Sequence, residues 1–174
     1  KIYTGKNINI PDSTNIRTFK SAAGRLGSTA YAYEGALDGF GNPSNKCNLF
    51  VSHAVEQGAG VDFPRRTRFG FSRGPVAAGT LASNADLPHT RLVNPEDAII
   101  GDIVSWARPD FANATGHTAI FTGSLNMRIN GVLEPRGQGD QGTIGAGEFT
   151  VNYRTFEYLT SEGYLNPVYR RVVP

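Results

Sequence analysis

Residues 100–106 read Ile-Gly-Asp-Ile-Val-Ser-Trp, and residues 117–123 read His-Thr-Ala-Ile-Phe-Thr-Gly. Both runs are short, rich in β-branched and aromatic side chains, and bounded by turn formers, which is the composition that fits a pleated, half-buried surface. They predict two strands, and further strands are predicted at Gly131 to Glu134, Phe149 to Tyr153 and Val168 to Val173. Upstream the period changes. Ile16, Phe19, Ala22, Ala23 and Leu26 recur at helical spacing after the cap candidates Ser13 and Thr14, and the pattern stops at Gly27. A second helix is predicted from residue 47 to about 57, capped by Ser44 or Asn45 and ended by Gly58 and Gly60, with Leu49, Phe50, Ala54 and Val55 on its buried side. Helices first and strands later imply an α+β fold with an antiparallel sheet. Val61 to Pro95 has no sustained period and reads as long loops with one short helix.

A chain of 174 residues without a repeat or a low-complexity linker is expected to form one domain over residues 1–174. A body of that size buries roughly 70% of its unfolded surface, so a hydrophobic core suffices to hold it. The formal charge of +2 is too small an excess to indicate a nucleic-acid partner. The local cluster Arg65, Arg66, Arg68 and Arg73 is read as a solvated loop with Phe69 and Phe71 tucked beneath it. No stretch approaches the roughly 20 apolar residues that a membrane span needs, so none is expected.

The chain has one cysteine, Cys47, which excludes an intramolecular disulfide and any zinc pattern built on paired thiols. A thiol becomes a nucleophile when it ionises, and the partial positive charge of a helix N-terminus favours the thiolate. Cys47 is predicted in such a first turn, with Lys46 beside it as a further source of positive charge. The alternative is a buried structural thiol.

A thiol nucleophile needs a base, and the candidates are His53, His89 and His117. His53 lies six residues along the same helix, about 240° around its axis, and is expected on the helix surface. His89 sits in a Pro-bounded loop. His117 opens an apolar strand after Gly116, so the scaffold would fix its ring, and it is the preferred base.

Four runs in order, Tyr31-Ala32-Tyr33-Glu34-Gly35, Lys46-Cys47-Asn48-Leu49-Phe50-Val51, Gly101-Asp102-Ile103-Val104-Ser105-Trp106 and Gly116-His117-Thr118-Ala119-Ile120-Phe121, resemble the NlpC-type and CHAP superfamily of peptidoglycan hydrolases. The chain is also similar to the amidase effectors that bacteria inject into competitors. The resemblance implies a papain-like core and cysteine-dependent hydrolysis of an amide in the stem or cross-bridge peptides of the bacterial cell wall. It implies a secreted or periplasmic monomer, a possible immunity protein or inhibitor as partner, and no metal or cofactor. Tyr31, Tyr33 and Trp106 are the substrate contacts it suggests, and Gly101-Asp102 a structural turn.

In these families a polar residue on the strand after the histidine strand orients the imidazole, which selects Glu134. If paired residue numbers sum to 251, Glu134 faces His117. Asn130-Gly131 is a strong two-residue hairpin signal, however, and would pair Glu134 with Met127 instead. Asp140, Gln138 and Asn152 are the other candidates. Lys46-Cys47-Asn48 departs from the commoner Asp-Cys-Ser pattern, which bears on subfamily and substrate. The rival readings are a non-catalytic wall-binding module, a metal-dependent hydrolase lacking any tight ligand spacing such as HExxH, and a cysteine protease or acyltransferase toxin.

Overall fold

Helical spacing and β-rich runs produce the elements expected of them in the computed structural model, which describes residues 13–35, 37, 43–110, 114–123, 128–129, 132–133 and 141–174. Helices α1 (Ser13–Ala23) and α2 (Cys47–Ala59) come first. They are followed by strands β1 (Arg65–Arg68) and β2 (Phe71–Pro75), the one-turn helix α3 (Ala78–Leu81), and strands β3 (Thr90–Val93), β4 (Ile103–Ala107) and β5 (Gly116–Gly123). Two-residue strands β6 (Arg128–Ile129) and β7 (Val132–Leu133) precede β8 (Gly142–Ala146), β9 (Val151–Thr155), helix α4 (Phe156–Ser161) and β10 (Val168–Val172).

Six strands form one sheet in the order β3-β10-β4-β5-β8-β9, with every neighbouring pair antiparallel. The chain is therefore α+β. Side chains alternate across the sheet. Ile103, Ile120, Ile144, Val151 and Val172 pack with Leu49, Phe50, Val51 and Val55 of α2 in one core. Val104, Trp106, Ala119, Phe121 and Tyr169 pack with Leu159 of α4 in a second. Removing each large apolar side chain of α2 from water contributes roughly 1.5–3 kcal/mol, which anchors that helix on the sheet. The helix ends as read, with Gly60 in the left-handed conformation at φ 71°. Its start differs from the expectation: Lys46 is the N-cap, and it makes no side-chain cap hydrogen bond.

The turn before β4 is held by charge. The buried Asp102 carboxylate accepts hydrogen bonds from Asn15 Nδ2 at 2.8 Å, from the Ile99 N–H at 2.8 Å, and from Arg171 Nε and Nη2 at 2.9 Å each. That ties α1, the sheet and the C-terminal strand to one point, in keeping with a structural role for Gly101-Asp102.

Three expectations are corrected. Residues 61–95 are not mainly loop, because β1 and β2 make an antiparallel hairpin. Its turn puts Phe69 at φ 52° and Gly70 at φ 78°, the pair of positive φ angles that suits a two-residue hairpin loop. Phe69 and Phe71 are not tucked beneath the arginines but are 84% and 71% exposed. Finally, the strand at residues 132–133 does not pair with β5. It pairs with β6 as Arg128↔Leu133, the alternative hairpin register, and β8 takes the place beside β5. Among the described residues no helix is long and apolar enough to cross a membrane.

Candidate active site

Cys47 opens α2, the helix most deeply packed on the sheet, and is 8% exposed. The backbone N–H groups of Thr118, Asn48 and Cys47 itself lie against its sulfur. The first of these comes from β5, one residue after His117, so the helix start and the histidine strand meet at the thiol. A cleft of about 390 Å³ is lined by both Cys47 and His117. Burial pushes the Cys47 thiol up from its ordinary value, against the lowering effect of those N–H donors and of Arg154.

His117 faces the second core. Its ladder partner on β4 is Trp106, whose ring lies nearly parallel to the imidazole with centroids 6.0 Å apart and an interplanar angle of 22°. The Tyr164 ring covers it at 5.4 Å. A side chain at Gly116 would collide with the Trp106 carbonyl, so this glycine permits the close approach that seats the base. Desolvation first, and then the nearby Arg154 guanidinium, push the imidazole down to about 3. Thiol and imidazole are thus both uncharged in the ligand-free cleft at neutral pH.

On its other flank His117 looks toward β8 and β9. Gly145 pairs with Asn152 across that ladder, and a Cβ at Gly145 would stand 3.3 Å from His117 Nε2 and 3.0 Å from Ala119 Cβ. The missing side chain leaves a passage from the imidazole to β9. His117 Nε2 and Asn152 Oδ1 are both buried, and neither has a hydrogen-bond partner among the described residues. Each orphaned group typically costs about 1–3 kcal/mol, a strain that one mutual contact would relieve.

The remaining expected residues fall as follows. Tyr31 and Tyr33 line the cleft. Tyr31 is locked by a 2.8 Å contact between its hydroxyl and His53 Nδ1, and by an edge-on contact with Phe50 at 5.4 Å. His53 therefore braces a cleft wall and does not sit idle on the helix surface. Tyr33 is fixed through its backbone N–H, which donates to the Glu148 carbonyl at 2.8 Å. Trp106, a substrate contact in the resemblance, is 1% exposed and stacks on the His117 imidazole. Lys46 does not direct its ammonium at the sulfur: Nζ donates to the carbonyls of Ala32, Tyr33 and Ser44 at 3.0–3.1 Å. His89 is exposed on the loop before β3 and does not line the cleft. Glu134, Gln138 and Asp140 lie outside the described residues.

Sequence reasoning missed Arg154, Arg108, Tyr164 and Glu148, all of which line the cleft. The polar alternation Asn152, Arg154 on a strand was a usable signal, but placing it needed β8, which is interrupted by Gly142 and Gly145. A larger groove of about 910 Å³ runs along β3 and β10, lined by Arg91, Asp97 and Arg171. It contains no nucleophile and base together. Among the described residues no group of three His, Cys, Asp or Glu side chains is placed to hold a metal ion. No family model matches the chain, and comparison with curated proteins finds no match either, so a functional reading rests on the cleft itself and on the order of the motifs around it.

Proposed function

We propose that the chain is a papain-like cysteine hydrolase that cleaves an amide bond in bacterial cell-wall peptides, acting outside the cytoplasm. The observation that carries the reading is that one cleft is lined by both Cys47, at the N-terminus of α2, and His117, near the start of β5. The motif order supplies the substrate class.

The chemistry follows from the uncharged resting pair. As Sγ attacks the amide carbonyl, its proton passes to His117, which then delivers it to the departing amine. Water, deprotonated by the same imidazole, releases the acyl group from the sulfur. The first-turn N–H groups of α2 are suited to hold the oxyanion, an interaction typically worth about 3–4 kcal/mol per donor. Nε2 lies against Gly145 of β8, whose ladder partner on β9 is Asn152, which leaves Nδ1 to serve the sulfur and Asn152 to fix the ring. Asn152 takes the orienting role in this reading because β8 lies beside the histidine strand and pairs with β9, whereas residues 132–133 pair with β6; Glu134 lies outside the described residues.

The test is digestion of purified peptidoglycan by wild type and by Cys47→Ala, with mass analysis of the fragments. New amine termini released by wild type alone support the reading, and equal release by both proteins removes it.

A further inference from the structure

Arg154 is the feature of the cleft that the hydrolytic mechanism leaves without work. It lies on β9 two residues beyond Asn152 and so on the same face of the sheet. Its Nη2 packs 2.6 Å from the place a Cβ would occupy at Gly147, so that glycine makes room for the guanidinium at the cleft. The side chain is half-buried and lines the cleft together with Cys47 and His117.

The other cations of this cleft are occupied. Lys46 holds three carbonyls. Arg108 bonds both carboxylate oxygens of Asp110 and the Glu162 carbonyl. Arg154 makes no hydrogen bond or ion pair through its guanidinium to any described residue, and its Cζ stands 5.8 Å from the centroid of the Tyr158 ring. Glu148 lines the same cleft but is exposed and forms no ion pair with it. A planar fork of five N–H donors, half removed from water in the cleft that Cys47 also lines, matches a carboxylate bidentately.

We infer that Arg154 is the specificity residue of this cleft, binding a free carboxylate carried by the acyl donor beside the scissile amide. The inference rests on the hydrolase reading for its substrate, but its test does not. Cys47 is the only cysteine, so alkylation reports on one sulfur. Iodoacetate and iodoacetamide react alike: the sulfur forms a bond to the methylene carbon, the carbon–iodine bond breaks, iodide leaves, and the thiol proton passes to His117 or buffer. They differ in the carboxylate, which among the described cations of the cleft Arg154 is placed to read, since Lys46 and Arg108 are engaged elsewhere.

The rate with iodoacetate, divided by that with iodoacetamide at the same pH, cancels the thiolate fraction. Relative to the same ratio for glutathione, wild type should show a preference of roughly tenfold, as one charge-assisted pair supplies. Arg154→Gln should return the ratio to the glutathione value, Arg154→Lys should fall between, and added salt should reduce the preference in wild type. A ratio unchanged between wild type and Arg154→Gln overturns the assignment, because a purely electrostatic effect on the thiol slows both reagents equally. Failure of both reagents to reach Cys47 overturns this inference and the hydrolase reading together. A clear iodoacetate preference in a protein that releases no wall fragments overturns the hydrolase reading alone.

Discussion

Trp106 and His117 occupy the same rung of the β4–β5 ladder and lie face to face, so the rigidity of the imidazole is inherited from the core. The indole also meets Phe156 at 5.5 Å and Tyr164 at 6.2 Å. Because Trp106 is almost wholly buried, changing it should act on turnover and stability and not on affinity. Trp106→Phe should lower kcat with KM little changed and cost about 1–3 kcal/mol by urea denaturation, since a smaller ring leaves a void beside the imidazole. A rise in KM with unchanged kcat would point instead to a substrate contact.

Asn152 yields an unusual pairing of effects. Its Oδ1 is buried with no hydrogen-bond partner among the described residues, so Asn152→Ala removes little of their bonding and should change stability by less than about 1 kcal/mol. The same substitution should lower kcat by roughly 10- to 100-fold, because the ring loses its orienting group. Gly145→Ala should reproduce the kinetic loss while destabilising the fold, since its Cβ meets Ala119 Cβ at 3.0 Å on a packed strand. Asn152→Ala with full activity would remove it from the site.

The depressed imidazole makes stability depend on acidity. In the folded chain His117 titrates near 3, whereas in the unfolded chain it takes up a proton near its ordinary value of 6.5. Between those limits the unfolded state binds more protons, so stability falls as pH drops through 6.5 toward 3. At pH 4.5 the loss due to this one group should be roughly 2–3 kcal/mol relative to pH 7.5. Urea midpoints at the two pH values should show that loss in wild type and a correspondingly smaller one in His117→Gln; equal losses would contradict the burial of an uncharged ring.

Lys46 is predicted to be structural. Its ammonium joins the Ala32–Tyr33 segment to the start of α2, and replacing it leaves three carbonyls without their donor. Lys46→Met should cost at least about 2 kcal/mol. At a temperature where the variant stays folded, the iodoacetamide rate at Cys47 should stay within twofold of wild type. A large fall in that rate would restore Lys46 as an activator of the thiol.

What the chain discloses about itself follows physical range. Helix α2 and strand β5 were legible because a 3.6-residue apolar period and a β-branched run are local signals, and they carry Cys47 and His117 with them. The α2 cap was misread because Lys46 occupies the capping position while its side chain turns back to the Tyr33 and Ser44 carbonyls. The β1–β2 hairpin was invisible because all four residues of β1 are exposed, leaving no alternation to detect. The choice among Glu134, Asp140, Gln138 and Asn152 stayed open for a different reason. Which strand lies beside His117 depends on pairing Ile120 with Ile144 and Gly145 with Asn152, contacts that only the assembled sheet defines.

Cys47 and His117 are held to act as one unit, and comparing single and double variants on purified peptidoglycan addresses this. The rates of amine release by wild type, Cys47→Ala, His117→Ala and the double variant should show each single change abolishing nearly all activity and the double change adding nothing further. Losses that multiply in the double variant, or either single variant releasing amine at the wild-type rate, would contradict a shared catalytic role.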